Sequence, residues 1–116
     1  MKYRTLLLVC LGMFSCGPIR DCDSTVMYYK ADECLLIVEN IPSKTDSRFD
    51  YKGINPITNK KCDCNSSTSD MWWVDYKEHI EIGDTIIKKK GELIFSIHKK
   101  DTVMSFNFEC DGKIYK

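Results

Sequence analysis

The sequence predicts a mainly β protein, a small antiparallel β-domain of hairpins with room for one short helix and with a signal peptide before it. Three observations predict this class. Apolar and polar residues alternate in the last third of the chain. Short β-branched and aromatic runs are separated by turn-forming residues. Seven cysteines in 116 residues are typical of a disulfide-stabilised domain in an oxidising compartment.

The alternating residues of the C-terminal third predict two paired strands. The two sets that share a face are Leu93, Phe95 and Ile97, then Met104, Phe106, Phe108 and Cys110. Polar residues separate most members of the second set, which is typical of a strand with one solvated face. Residues 99–102 predict the hairpin loop, and Asp111-Gly112 predicts a turn into a last short strand at residues 113–115.

Earlier segments are also strand-like. Residues 25–30 and 34–39 are rich in β-branched and aromatic side chains and predict a hairpin. Residues 40–48 predict a loop, because Pro, Ser, Lys, Thr and Asp dominate there. The short alternation at residues 49–51 predicts an edge strand, and residues 54–61 predict an irregular connection.

The two adjacent tryptophans are candidate binding residues. Trp72, Tyr76 and Ile80 are spaced four apart, which predicts a short helical face with Asp70 as its N-cap. On an extended chain Trp72 and Trp73 would face opposite ways, so one of them would be exposed to a protein or a sugar. The alternative is that both rings are shielded and stabilise a thin core.

The first 15 residues predict an export signal. Lys2 and Arg4 precede an uncharged apolar run at residues 6–14, which is far shorter than the roughly 20 residues of a membrane-spanning helix. Residues 1–15 are therefore expected to be a signal peptide.

The end of this leader indicates a lipid anchor. The run Leu11-Gly12-Met13-Phe14-Ser15-Cys16 resembles a bacterial lipobox, and with its size and cysteine-bearing body the chain resembles the short lipoproteins of Gram-negative envelopes. The resemblance implies lipidation of Cys16, with Gly17 directing the protein to the outer membrane. Residues 16–23 would then form a tether and residues 24–116 a single domain. The alternative is plain secretion, with Cys16 kept as a thiol.

Cysteine parity predicts at most two disulfides in the lipidated protein, with one thiol left free or paired between chains, and up to three disulfides if Cys16 is kept. The candidates are Cys22, Cys34, Cys62, Cys64 and Cys110. Cys62 and Cys64 share one face of an extended segment and are too far apart for an easy mutual bridge. Each is expected to reach a different partner, with Cys34 and Cys110 as the candidates.

A metal site would use the same residues differently. Cys62 and Cys64 would be joined by His79 or His98 as ligands, but no second paired motif with zinc-site spacing follows them. Disulfide bonding is the preferred interpretation, and no cofactor is expected. No catalytic signature is present in the sequence, so the expected protein is not an enzyme.

Charge limits the class of partner. The chain has 17 positive and 17 negative residues, which makes nucleic acid an unfavourable partner. Lys88, Lys89 and Lys90 form the densest run of like charge, and they predict either a solvated turn or a contact with anionic lipid. The predicted function is a membrane-tethered, non-catalytic module that binds another envelope or secreted protein, as inhibitors and immunity proteins do. The alternatives are a structural or lipid-contacting envelope protein and a plainly secreted one.

Overall fold

The computed structural model describes residues 21–43, 45–65 and 72–116, and it confirms a mainly antiparallel β architecture. The proposed leader, Cys16 and the proposed N-cap Asp70 lie outside these residues. Within the described residues two short helices accompany the sheet, the α-helix α1 (Cys22–Ala31) and the 3₁₀ helix Trp72–His79. The described strands are β1 (Cys34–Asn40), β2 (Asp50–Ile54), β3 (Lys61–Asn65), β4 (Thr85–Lys88), β5 (Ile94–His98), β6 (Val103–Cys110) and β7 (Lys113–Tyr115).

The strands form one antiparallel sheet in the order β3-β2-β1-β4-β5-β6-β7. Strands β4 to β7 make a simple meander. The chain instead leaves β3 at one edge of the sheet and returns through the 3₁₀ helix to β4, beside β1. This crossover carries the 3₁₀ helix onto the face of the sheet that holds the core.

The core lies on one face of the sheet, as the alternation in the last third predicted. Phe95 and Ile97 of β5 are fully buried, and Phe108 of β6 is nearly so. Both helices add aromatic rings to this layer: Tyr29 of α1 meets Phe108 edge-to-face at 5.0 Å, and Trp73 stacks on Phe95 at 5.4 Å. The predicted turn at Asp111-Gly112 is confirmed.

The β2–β3 hairpin curls strongly over the sheet. Strand β2 separates β1 from β3, so a flat sheet would hold those two strands about 10 Å apart. The Cα atoms of Cys34 in β1 and Cys64 in β3 are nevertheless only 5.8 Å apart. Gly53 makes the curl possible, since a Cβ atom there would lie 1.8 Å from the carbonyl oxygen of Ile37. The sequence prediction of an edge strand at residues 49–51 is wrong, because β3 pairs with β2 on its outer side.

The prediction of a strand at residues 25–30 is also wrong, because these residues belong to α1. The carboxylate of Asp21 accepts a hydrogen bond from the backbone N–H of Asp23 at 3.1 Å and caps the first turn. Helix α1 therefore begins at Cys22, inside the segment predicted as a tether. Tertiary packing of Tyr29 then outweighs the modest strand preference of the local residues.

Candidate functional site

The tryptophan pair is buried, so the predicted exposed aromatic surface is wrong. Trp72 and Trp73 are only 7% and 2% exposed. The helix predicted from the four-residue spacing is present in a 3₁₀ form, with about three residues per turn. Neighbouring side chains are then about a third of a turn apart, so both rings can face the sheet. The alternative, in which both tryptophans stabilise the core, is the arrangement observed.

The lysine run is divided between the interior and the surface. Lys88 is 1% exposed, which contradicts its place in a solvated charge run. It shares the core face of β4 with Ile86, and its ammonium group donates hydrogen bonds to the carbonyl oxygens of Tyr29 and Asp32, the latter at 2.6 Å. Lys88 therefore holds the C-terminal end of α1, and burial lowers its pKa. Lys89 and Lys90 remain exposed.

An open groove of about 760 Å³ lies between the loop that follows β1 and the 3₁₀ helix. We call it the acidic groove. Apolar side chains from both walls and from the sheet line it, together with carboxylates at its rim. The residues that define it are Ile41, Pro42, Ser43, Asp46, Tyr51, Val74, Asp75, Lys77, Glu78 and Ile80.

Lys77 and Tyr51 fix the walls of the acidic groove. The Lys77 ammonium donates hydrogen bonds to the carbonyl oxygens of Asp46 and Arg48, the latter at 2.7 Å. The Tyr51 hydroxyl donates to the carbonyl oxygen of Lys77 at 3.3 Å. The loop, the 3₁₀ helix and β2 are thus joined, which fixes the walls of the groove relative to one another.

The rim of the acidic groove carries negative charge. Asp75 and Glu78 are exposed and three residues apart, and side chains with this spacing eclipse in a 3₁₀ helix. Asp46 adds a third carboxylate, and its pKa is lowered chiefly by the backbone N–H of Arg48 and further by the charges of Arg48 and Lys77. The Lys77 ammonium is already engaged by backbone carbonyls. The sequence prediction missed this site, although the three-residue spacing of Asp75 and Glu78 was the signal.

The described cysteines form two disulfides and leave one free thiol, as parity predicted. Cys22 bonds Cys110 and ties α1 to the end of β6, while Cys34 bonds Cys64. The expectation that Cys62 also bonds Cys34 or Cys110 is wrong, because both of those cysteines are bonded elsewhere. Cys62 is the free thiol among these five residues. It lies in a second groove of about 550 Å³, the cysteine groove, which it shares with both members of the Cys34–Cys64 disulfide.

The alternative metal ligands do not come together in the part of the chain that the structure describes. The candidate ligand group found there is Cys22, Cys110 and Asp111, whose two sulfur atoms are already joined in a disulfide. His79, the last residue of the 3₁₀ helix, instead stacks on Phe106 of β6 at 5.9 Å. Cys64 is likewise held in a disulfide, which leaves Cys62 without its proposed partner ligand.

Comparisons with known proteins found no relative of this chain. No family model matches the chain, and neither a curated protein nor a solved structure matches it. Within residues 21–43, 45–65 and 72–116, no helix has the length and apolar character needed to cross a membrane.

Proposed function

We propose that this protein is a non-catalytic binding module, anchored in the cell envelope through a lipid on Cys16, that binds a basic and partly apolar segment of another envelope or secreted protein. The acidic groove is the observation that carries this proposal. Its volume lies within the range of ordinary binding sites, and its lining combines an apolar floor with a few charged groups.

The charge and shape of the acidic groove indicate which class of partner segment it would bind. Asp75 and Glu78 offer carboxylates on one stripe of the rim, where Lys or Arg side chains of a partner would be paired. Ile41 and Val74 offer apolar contacts beside them, and Ile41 is 45% exposed. A segment that places an aliphatic residue next to a basic one would satisfy both surfaces.

The lipid-contact alternative has weaker support. The Lys88 ammonium is bound to backbone carbonyls and unavailable to a phosphate. Lys89 and Lys90 share the cysteine groove with the carboxylates of Glu33 and Asp63, which would repel an anionic head group. We therefore place recognition at the acidic groove and the attachment to the membrane at Cys16.

A peptide selection tests the groove. The full chain, purified in detergent, would be used to select a phage-displayed peptide library, and selected peptides should pair Arg or Lys with an aliphatic residue. Asp75→Asn with Glu78→Gln should weaken their binding about tenfold at low salt, since two exposed ion pairs are lost. The matched control, Glu39→Gln with Asp101→Asn, removes two exposed carboxylates elsewhere and should leave the affinity within about twofold.

Two results would contradict the proposal. One is a selection without a basic and aliphatic consensus, and the other is unchanged affinity after the groove carboxylates are neutralised. The anchor is tested separately, by the intact mass of the chain expressed in a Gram-negative host, compared with Cys16→Ser. Absence of acyl mass from the wild type would remove the anchor but leave the groove. Binding of Cys16→Ser to anionic vesicles, lost with Lys89→Gln and Lys90→Gln, would favour the lipid-contact alternative.

A further inference from the structure

The cysteine groove brings together three sulfur atoms, one from β1 and two from β3. Cys62 and Cys64 are two residues apart on β3, so both side chains lie on the face of β3 that the hairpin curl turns toward β1. Cys64 bonds Cys34 on β1. The Sγ atom of Cys62 lies 3.9 Å from the carbonyl oxygen of Leu35, the residue directly after Cys34. A thiol and a disulfide therefore share one groove.

We propose that this groove is a thiol–disulfide exchange site, in which Cys62 displaces Cys64 from Cys34. The Cys62 thiol gives its proton to water, and the resulting thiolate attacks the Sγ atom of Cys34. A bond forms between Cys62 and Cys34 as the Cys34–Cys64 bond breaks, and Cys64 leaves as a thiolate that takes up a proton. The number of disulfides is unchanged, so the step needs no external oxidant or reductant.

The geometry selects Cys34 as the sulfur that is attacked. Attack on Cys64 would require a bond between residues two apart on one strand, whose Cβ atoms are about 6.5 Å apart, against the roughly 4 Å that a disulfide requires. Exchange from Cys64 to Cys62 instead moves the bridge along β3 by two residues. Because residues two apart on a strand share a face, this change of partner leaves every side chain of β3 on the face that it already occupies.

The surroundings of Cys62 determine the rate of the exchange through the pKa of its thiol. Burial raises the pKa of the Cys62 thiol, and the carboxylate of Asp63 raises it further. The other charged groups lining the groove are Glu33, Lys88, Lys89 and Lys90. Because the thiolate is the attacking species, exchange should be slow at neutral pH and should speed up about tenfold per pH unit below the pKa of the thiol. Asp63→Asn should accelerate it about threefold at fixed pH.

Peptide mapping of the full chain tests the exchange. The oxidised protein would be incubated without added thiol at about pH 6.5 and pH 8.5, quenched with acid, alkylated and digested. Cleavage before Asp63 separates Cys62 from Cys64, so the alkylated residue is identified directly. We expect alkylated Cys64 and a Cys34–Cys62 bridge to accumulate at the higher pH. Alkylation of Cys62 alone at every time and both pH values would overturn the proposal.

A trapped variant gives an independent readout. Cys64→Ser removes the leaving sulfur, and on oxidative folding it should form the Cys34–Cys62 bridge, while Cys62→Ser keeps the original pairing at all pH values. A folded Cys64→Ser protein with both Cys34 and Cys62 reduced would contradict the exchange geometry. If that variant fails to fold, the wild-type time course alone decides the question.

Discussion

The buried phenol of Tyr51 should make the domain sensitive to alkali. Tyr51 is 1% exposed, its ring packs against Phe49 at 4.5 Å, and burial raises its pKa from 10.0 to about 12. Below pH 10 the phenol is neutral in the folded and the unfolded chain. Above pH 10 the unfolded chain ionises first, so stability is lost as the pH rises through the folded-state pKa.

The size of this loss follows from the difference between a pKa of 10.0 in the unfolded chain and one of about 12 in the folded chain. Each unit corresponds to about 1.4 kcal/mol, so Tyr51 should remove about 1.4 kcal/mol of stability at about pH 11 and approach about 2.7 kcal/mol above pH 12. Tyr51→Phe has no proton to lose, but it gives up the hydrogen bond to Lys77, which contributes about 1 kcal/mol. The variant should be the less stable protein at pH 8 and the more stable one above about pH 11.

Denaturant unfolding followed by tryptophan fluorescence measures the crossover. The series would be run from pH 8 to pH 11.5 on proteins carrying Cys62→Ser, so that no free thiol among the described cysteines reshuffles the disulfides. Tyr28→Phe is the matched control, because Tyr28 is 77% exposed and its stability difference should not change with pH. A stability difference for Tyr51→Phe that stays constant across the series would refute the reasoning.

Two further substitutions test the internal supports of the sheet. Lys88→Met should lower the free energy of unfolding by about 3 kcal/mol, because the carbonyl groups at the end of α1 lose a charged donor, whereas exposed Lys89→Met should change it by less than about 0.5 kcal/mol. Equal effects of the two in thermal unfolding would contradict the role of Lys88. Gly53→Ala should separate β1 from β2 and lower the yield of the Cys34–Cys64 disulfide on refolding, because the added methyl group would clash with the backbone of β1. The methyl group of Gly91→Ala would meet open space, so this variant should lower the free energy of unfolding by only about 1 kcal/mol, the strain of its positive φ. Full disulfide yield from Gly53→Ala would show that the hairpin does not depend on this close approach.

The strands of the last third were predictable because each has one buried and one solvated face. Phe108 and Cys110 are buried while Asn107 and Glu109 are exposed, so apolar and polar residues alternate along this strand in the sequence. Parity likewise predicted the number of disulfides. It could not give their pairing, since Cys34 reaches Cys64 only through the curl of the hairpin at Gly53.

The wrong and missing predictions share a different cause. Contacts with residues far along the chain outweigh the local secondary-structure preference. Residues 25–30 have strand-like side chains, but Lys88 and Phe108, far along the chain, bind and pack the segment as a helix. The N-cap at Asp21 was a readable signal of that helix start. The acidic groove needs the loop after β1 and the 3₁₀ helix together, and nothing in either segment alone predicts that Lys77 joins them.

The long disulfide also determines how the domain would respond to mechanical tension. Cys22 and Cys110 are 88 residues apart in sequence, a stretch with a contour length of about 300 Å, yet their Cα atoms are 5.9 Å apart. A force applied between the two chain ends passes from one cysteine to the other through covalent bonds. The enclosed sheet, the acidic groove and the cysteine groove carry none of that load while the bond is intact. Stretching an oxidised molecule should therefore leave residues 22–110 folded, and reduction of both disulfides should add about 300 Å of extension.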